Sequence, residues 1–317
     1  MSDLLVLLRS RIEGRVGIAA STRYQALNSV DFLETTWPGF ASLRPDEIKP
    51  ASVVAWRDRA LSIGTGYKPP GAKGVSAGTA GRSPSSFNKA VDALRAMLDL
   101  AVDANAIASN PLAGRRGLKA KLNPRKPQLP ETAKLHEIFN VIEQGKERGG
   151  WPVETADFCR FLAFTGCRLR EAASVCWQDV DLKRGIIRVR GTKTESAARE
   201  VPIIPAAREL LDRIHERRRN AATHAVGGQP HVDPATPVLA VSEGQKSLTR
   251  ACEAVGVPRL THHDLRDAFA TTCIESGIDI PTVAAWLGHA DGGALLMRVY
   301  AHHRRAHSVA QAAKVAF

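Results

Sequence analysis

Hydrophobic residues recur at helical spacing through the first third of the chain, and the most regular stretch begins at Ser83. Ser83 can cap a helix, and Pro84 suits the first helical position. Each apolar residue that follows has another three or four positions away: Val91, Leu94, Met97, Leu98, Ala101 and Val102. This pattern predicts an amphipathic helix with one buried face. A Gly- and Pro-rich loop precedes it, and residues 1–113 as a whole are predicted to be helical.

A period of two appears once, in the second half of the chain. Gly-Ile-Ile-Arg-Val-Arg at 185–190 alternates, and Arg-Glu-Val-Pro-Ile-Ile at 199–204 follows it after a polar turn, which together predict a β-hairpin. Helical spacing resumes from residue 206. A loop is predicted at 220–237, followed by helices around 263–276, 281–287 and 293–299. The predicted fold class is therefore mainly α with a small β-sheet, an α+β arrangement.

Charge adds a candidate domain boundary. Residues 114–127 contain no acidic residue, two prolines, two glycines and six bases: Arg115, Arg116, Lys119, Lys121, Arg125 and Lys126. The pattern predicts an irregular linker between a helical domain at 1–113 and a second domain at 128–317. A solvated linker and one that contacts phosphates fit equally well. The net charge of +12 allows the same two interpretations, a solvated basic surface or a nucleic-acid partner.

Composition limits the class of protein. With 317 residues and 44% hydrophobic content the chain can bury two cores. No apolar run reaches the roughly 18 residues that a membrane span needs, and the N-terminus does not have the pattern of a signal peptide. We therefore expect a cytoplasmic protein with no membrane partner. The five cysteines are odd in number and lack Cys-x-x-Cys spacing, so neither a disulfide framework nor a zinc site is expected.

Five short motifs carry groups suited to chemistry. They are Thr-Gly-Cys-Arg-Leu-Arg-Glu-Ala at 165–172, Gly-Thr-Lys-Thr at 191–194, His-His-Asp-Leu-Arg-Asp-Ala-Phe-Ala-Thr at 262–271, Leu-Gly-His-Ala at 287–290 and Tyr-Ala-His-His at 300–303. Taken singly, each is compatible with an ordinary surface or core segment. On a helix, His263 and Arg266 share a face, with Leu265, Phe269 and Cys273 directed at the core.

In order and approximate spacing, these motifs resemble the tyrosine recombinase, or phage integrase, family. The resemblance covers about residues 150–305, and more weakly it makes residues 1–113 similar to the family's helical DNA core-binding domain. It implies a mixed α/β catalytic domain. The catalytic residues it implies are Tyr300, Arg168, Lys193, His263, Arg266 and His289, with Glu171 as a supporting residue. At the position after Arg266, where many members carry His or Lys, this chain has Asp267.

The resemblance also implies a reaction. Tyr300 would attack a DNA phosphodiester to form a 3′-phosphotyrosyl link, with His263 as base and Lys193 protonating the leaving 5′-oxygen. Arg168 and Arg266 would bind the non-bridging oxygens, His289 would contact the phosphate, and Glu171 would orient the histidine. No metal, ATP or other cofactor is expected. The implied partner is double-stranded DNA, bound by a homotetramer on two duplexes during synapsis; the free protein would be a monomer or dimer.

Other interpretations stay open from sequence alone. One is a catalytically silent DNA-binding protein of the same fold, and another is a strand transferase of the type IB topoisomerase kind. A third, from a different class, is a metal hydrolase built on the chain's clustered histidines, His262, His263, His289, His302, His303 and His307. No His-Glu-x-x-His motif or carboxylate cluster accompanies them.

Overall fold

The computed structural model of the protein describes residues 1–62, 83–122, 128–145, 151–191, 198–226, 232–289, 292–294, 296–297 and 313, with backbone alone from 221 to 226. The chain forms two compact units, Met1–Pro124 and Arg125–Phe317. The described residues include no helix long and apolar enough to cross a bilayer.

The described helices of the first unit pack around the helix that the sequence pattern predicted. They are α1 (Ser2–Glu13), α2 (Ala20–Thr36), α3 (Pro50–Ser62) and α4 (Pro84–Asp103). The Ser83 hydroxyl accepts a hydrogen bond from the Ser86 amide at 3.2 Å and caps α4 as expected. Val91, Leu94, Met97, Leu98 and Ala101 are fully buried. The apolar stripe of α4 therefore forms the centre of this unit's core.

The basic segment at 114–122 lies against the first unit. Leu118 and Ala120 are buried in that unit's core. Side chains from the helices hold the segment's carbonyl oxygens: Arg57 donates to Gly117 at 2.7 Å, Arg95 to Arg115 at 2.9 Å, and Asn88 to Ala120 at 3.0 Å. These bonds explain why the compact unit extends to Pro124 rather than ending at 113. The predicted functional division of the chain stays a prediction.

The second unit is mainly helical with a small sheet, which confirms the predicted fold class. Its described elements are α5 (Thr132–Glu143), α6 (Pro152–Thr165), α7 (Leu169–Ser174), β1 (Val180–Asp181), β2 (Ile186–Val189), β3 (Arg199–Pro202), α8 (Pro205–Val226), α9 (Gln245–Val255), α10 (His262–Glu275) and α11 (Ile280–Leu287). The strands pair antiparallel in the order β1-β2-β3. The β2–β3 hairpin is the predicted one, with Ile187 opposite Val201 and Val189 opposite Arg199.

Two helices differ from the sequence prediction. Helix α8 continues to Val226, through the first residues of the predicted loop, because 220–226 contains several alanines and neither Gly nor Pro. Helix α9 was not predicted separately, although Leu248, Ala251 and Cys252 form its buried face. The predicted helix at 293–299 lies largely outside the described residues.

Helix α6 runs through the middle of the second unit and ends where α10 and α11 approach it. Gly166 ends α6 with φ +63°. A Cβ at this position would lie 2.5 Å from Phe269 Cδ1 and 2.7 Å from Leu287 Cδ2. Glycine is therefore needed here both for the left-handed backbone and for space. This close approach places the start of α7 beside the end of α11, where the candidate site lies.

Candidate active site

Arg168 is held at the start of α7 by a residue of the same helix. Its backbone amide donates to Glu171 Oε2 at 2.8 Å and its Nη1 donates to Glu171 Oε1 at 2.9 Å. Its side chain is still 44% exposed. A guanidinium has five N–H donors in a planar fork. Arg168 can therefore be oriented by Glu171 on one edge and bind an anion from solvent on another.

Glu171 is a buried carboxylate, 1% exposed, that accepts hydrogen bonds from two arginines. Besides the two bonds from Arg168, it accepts Nη1 of Arg199 at 3.1 Å and Nη2 at 2.8 Å. Burial by itself would raise the pKa of Glu171, but the bonds from Arg199 and Arg168 outweigh burial and lower the pKa to about 2. The described hydrogen bonds of this carboxylate come from Arg168 and Arg199, which it orients; its expected role of orienting a histidine stays a prediction.

Arg199 is a member of this site that the sequence did not identify. Its side chain is 7% exposed, and its Nε donates to the carbonyl oxygen of Trp286 at 2.6 Å. No motif marks it. The hairpin register could have found it, because directly paired residues on antiparallel strands point to the same face. Arg199 is opposite Val189, which is 1% exposed, so its side chain is directed inward.

Arg266 lies on α10 and is 2% exposed. Its Nη1 donates to the Gly166 carbonyl and its Nη2 to the Leu287 carbonyl, each at 2.6 Å. Burial, with the nearby charges of Arg168 and Arg199, lowers the pKa of Arg266 to about 10. The group therefore keeps its charge at neutral pH. Two of its five donors fix its orientation, and the other three form no hydrogen bond with the described residues.

Three arginines thus meet at the C-terminal end of α11. The carbonyl of Trp286 accepts from Arg199, that of Leu287 from Arg266, and that of Gly288, at 3.4 Å and weakly, from Arg168. The last carbonyls of a helix lack intrahelical partners and carry the negative end of its dipole. These cations satisfy them and fix the turn that leads directly to His289. We call Arg168, Arg199, Arg266 and Glu171 the arginine cluster.

The histidines differ in their surroundings. His289 is half-buried, and its backbone amide donates to Ala284 at 3.0 Å. His263, in the first turn of α10, has a 76% exposed side chain, and its Nε2 lies 3.8 Å from Asp267 Oδ1. Although His263 and Arg266 are three residues apart, one is therefore exposed and the other buried. The side chains of Leu265, Phe269 and Cys273 are buried, as predicted.

His262 has a structural role. Its Nε2 accepts the Gly244 amide at 3.2 Å, and its ring packs edge-on against Phe158 at 5.7 Å. Burial lowers its pKa, which favours the neutral ring that this acceptor role requires. Among the described residues, no group of three or more His, Cys, Asp or Glu side chains is placed to hold a metal ion.

The structure brings together Arg168, Glu171 and Arg266, and it places His289 immediately after the turn they hold. Lys193 and Tyr300 lie outside the described residues, as do Arg125, Lys126, His302, His303 and His307. Of the remaining candidates, Arg115, Arg116 and Lys121 are exposed on the first unit, and Lys119 pairs with Asp92 at 2.7 Å. The catalytic and DNA-binding roles of all these residues stay predictions.

Comparison with known families supplies the context for this geometry. Residues 133–307 match the model of the phage integrase family, a span that contains the whole arginine cluster. The chain belongs to the phage integrase family. Membership confirms the resemblance to the tyrosine recombinases that the five motifs indicated.

The chain is also similar to curated members of this family. Tyrosine recombinase XerC of Xanthomonas axonopodis pv. citri (strain 306) is 27% identical over 216 residues, covering 67% of this chain and 66% of the relative. XerD of Lacticaseibacillus casei is 26% identical over 233 residues, covering 72% and 76%. XerC of Pseudomonas aeruginosa (strain LESB58) is 30% identical over 184 residues, covering 55% and 56%. The chain thus spans only 56% to 76% of the length of these relatives.

Solved structures of integrases share the fold. The Tn1549 transposon integrase in complex with transposon right end DNA has a TM-score of 0.70 at 18% identity, covering 100% of both chains. A lambda integrase dimer bound to a COC′ core site has a TM-score of 0.67 at 17% identity, covering 96% of each chain. A lambda integrase tetramer bound to a Holliday junction has a TM-score of 0.63 at 17% identity, covering 91% of this chain and 74% of that one.

Proposed function

We propose that this chain is a tyrosine-type site-specific DNA recombinase that cuts and rejoins strands without a metal ion or ATP. The observation that carries the proposal is that Arg168 and Arg266 converge on one turn although they belong to distant parts of the chain. In that turn, Arg266 donates to the carbonyl of Leu287 and Arg168 to that of Gly288, 120 residues away, while Arg266 also donates to Gly166, 100 residues away. A fixed pair of guanidinium groups suits the negative charge that gathers on the non-bridging phosphate oxygens during transesterification.

In the proposed reaction, the Tyr300 oxygen attacks the scissile phosphorus and the bond to the 5′-oxygen breaks. The tyrosine proton goes to His263, whose imidazolium Asp267 can support from 3.8 Å. Lys193 gives a proton to the leaving 5′-oxygen. Arg168 and Arg266 bind the non-bridging oxygens, and His289 contacts the phosphate. A DNA 5′-hydroxyl then attacks the phosphotyrosyl link, so the bond energy is conserved and no nucleotide cofactor is consumed.

The proposed substrate is double-stranded DNA. The net charge of +12 supports it, because neutralising phosphates releases counterions and favours binding. The integrases of similar fold are bound to DNA, one of them as a tetramer on a Holliday junction. We extend that arrangement to this chain as a homotetramer on two duplexes during synapsis, with a monomer or dimer when free. The expected cytoplasmic location is part of the same proposal.

The first prediction tests the nucleophile and does not require the DNA target to be identified beforehand. Wild-type protein expressed in bacteria and purified under denaturing conditions should carry covalently attached DNA, which sequencing would locate. Tyr300→Phe should carry none, because only the phenolic oxygen is removed. Arg168→Ala should reduce the attached DNA by about a hundredfold, the scale of one lost oxyanion donor set. Attached DNA in the Phe variant, or none in the wild type, would overturn the proposal.

A further inference from the structure

We propose that Arg199 is a positioning residue of this recombinase, holding Arg168 through Glu171 and holding the turn before His289 through the carbonyl of Trp286. The inference rests on the proposed function and extends it to a residue in none of the five motifs. Arg199 makes both connections at once. Its Nη1 and Nη2 donate to the two carboxylate oxygens of Glu171 at 3.1 and 2.8 Å, while its Nε donates to Trp286 at 2.6 Å.

The geometry requires an arginine. A planar fork can contact both carboxylate oxygens and a carbonyl on its third nitrogen, whereas a lysine has one nitrogen for all three acceptors. The pair is also buried, with Arg199 7% and Glu171 1% exposed. Removing one partner of such a pair leaves a desolvated charge behind, which is costly. Arg199 and Glu171 are therefore tightly coupled to each other.

Gly288 shows how closely the turn lies against this guanidinium. Its φ is +67°, and a Cβ there would lie 3.1 Å from Cδ of Arg199 and 3.2 Å from its Nη1. The backbone that ends α11 thus packs directly on the Arg199 side chain. Truncating that side chain removes both a hydrogen bond to the turn and the surface on which the turn rests. His289, the next residue, is positioned by this packing.

Arg199 also determines whether Glu171 stays ionised. Among the described residues, the charged or titratable groups that act on this carboxylate are Arg168 from the start of α7, Arg199 from β3, Arg266 from α10 and the Cys167 thiol. Without Arg199, two of the four hydrogen bonds to Glu171 disappear while its burial remains, so its pKa rises. A protonated Glu171 accepts poorly from Arg168. Strand cleavage should then fall as the pH is lowered.

The test is single-turnover cleavage of a nicked suicide substrate, built on the DNA recovered with Tyr300, measured from pH 5 to pH 8 beside binding to the same site. Arg199→Met should slow cleavage at least about tenfold at neutral pH, the scale of one charged hydrogen bond. The decrease in cleavage rate relative to the wild type should become larger toward pH 5, while the affinity for the DNA site changes less than about threefold. Arg199→Lys should slow cleavage without the acid-side decrease, because the ammonium keeps Glu171 ionised but leaves Trp286 without its donor.

Arg190→Met is the matched control. Arg190 precedes the same β2–β3 connection that Arg199 follows, but its Nη2 binds Asp179 at 2.7 Å, and its described hydrogen bonds involve neither Glu171 nor α11. The Arg190→Met variant should keep the wild-type dependence of cleavage rate on pH. Replacing Glu171 by Gln in the Arg199→Met background should remove the acid-side decrease, because glutamine does not titrate, and the two substitutions should be non-additive.

The outcomes separate the inference from the proposed function. A wild-type protein that forms no covalent complex contradicts the recombinase itself. A wild type that cleaves, beside an Arg199→Met variant of unchanged rate and pH profile, contradicts the role of Arg199 alone. Equal decreases in binding and cleavage would make Arg199 merely structural. If circular dichroism shows that the Met variant does not fold, Arg199→Lys decides: wild-type cleavage by it overturns the proposal.

Discussion

At the scale of single residues, the site is organised around the negative charge of Glu171. Arg168 and Arg199 donate hydrogen bonds to its carboxylate, and Arg266 interacts with it electrostatically. A carboxylate with 1% exposure stays ionised only because Arg199 and Arg168 donate to it. In turn it fixes the edge of Arg168 that faces the protein, so the exposed edge has a defined direction. The chemistry proposed for Arg168 therefore depends on the buried residues that orient it.

The second prediction is a pH dependence of stability that belongs to Glu171. Its pKa falls from 4.5 to about 2 on folding, so its contribution to stability is present above pH 4.5 and is lost as the pH falls toward 2. A change of this size corresponds to on the order of 3 kcal/mol. The difference in unfolding free energy between wild type and Glu171→Gln should therefore be largest near pH 6 and shrink below pH 4.5.

Urea unfolding at a series of pH values measures this difference. The contributions of the other carboxylates to the pH dependence cancel in it, because both proteins contain them. Glu200→Gln is the control, because Glu200 is on the same strand as Arg199 but its side chain is 50% exposed, and the arginine nitrogens that pair with it in the described part of the chain lie 3.6 and 3.8 Å away. Its difference from wild type should be small at every pH. A Glu171→Gln difference that does not change with pH would mean that the carboxylate is not held ionised by its partners.

At the scale of elements, the sequence predicted those whose pattern is long and regular. The stripe of α4, the β2–β3 hairpin and the buried face of α10 follow directly from period and capping. Strand β1 has two residues and therefore no readable period. Arg168, Glu171 and Arg266 were found because they lie in recognisable motifs. Arg199 was not, because its importance comes from an ion pair with a residue 28 positions away, which only the folded hairpin brings into range.

The third prediction concerns the junction of α6, α10 and α11. Gly166→Ala should destabilise the protein by about 2 to 4 kcal/mol, combining strain at positive φ with overpacking against Phe269 and Leu287. Gly256→Ala is the matched control, since Gly256 also ends a helix at positive φ but has open space where the Cβ would stand. It should cost only the backbone strain, about 1 kcal/mol. Equal denaturant midpoints for the two variants would show that the close approach at Gly166 is not rigid.

At the scale of the whole molecule, the chain combines a helical unit that carries exposed bases with a unit that carries the arginine cluster. The bases at 114–122 lie on a backbone that Arg57, Arg95 and Asn88 hold against the first unit. A segment fixed in this way loses less conformational entropy on binding than a free tether would. If DNA is the partner, these bases can therefore bind phosphates efficiently, as part of a formed surface.

The last prediction tests that surface. Lys119 pairs with Asp92 at 2.7 Å, whereas Arg115, Arg116 and Lys121 form no ion pair within the part of the chain that the structure describes. Replacing these three by Gln should weaken binding to all DNA sequences and reduce the slope of log K against log salt by up to about 0.9 for each phosphate that is no longer neutralised. Lys119→Gln should change the slope less, because its charge is already partly neutralised.

The measurement is a titration by fluorescence anisotropy at several salt concentrations, on the recombination site and on unrelated duplex. A slope equal to that of the wild type would show that these basic side chains stay in solvent and do not contact phosphates. Weaker binding confined to the recombination site would instead assign them to base recognition, which binding to phosphates alone cannot provide.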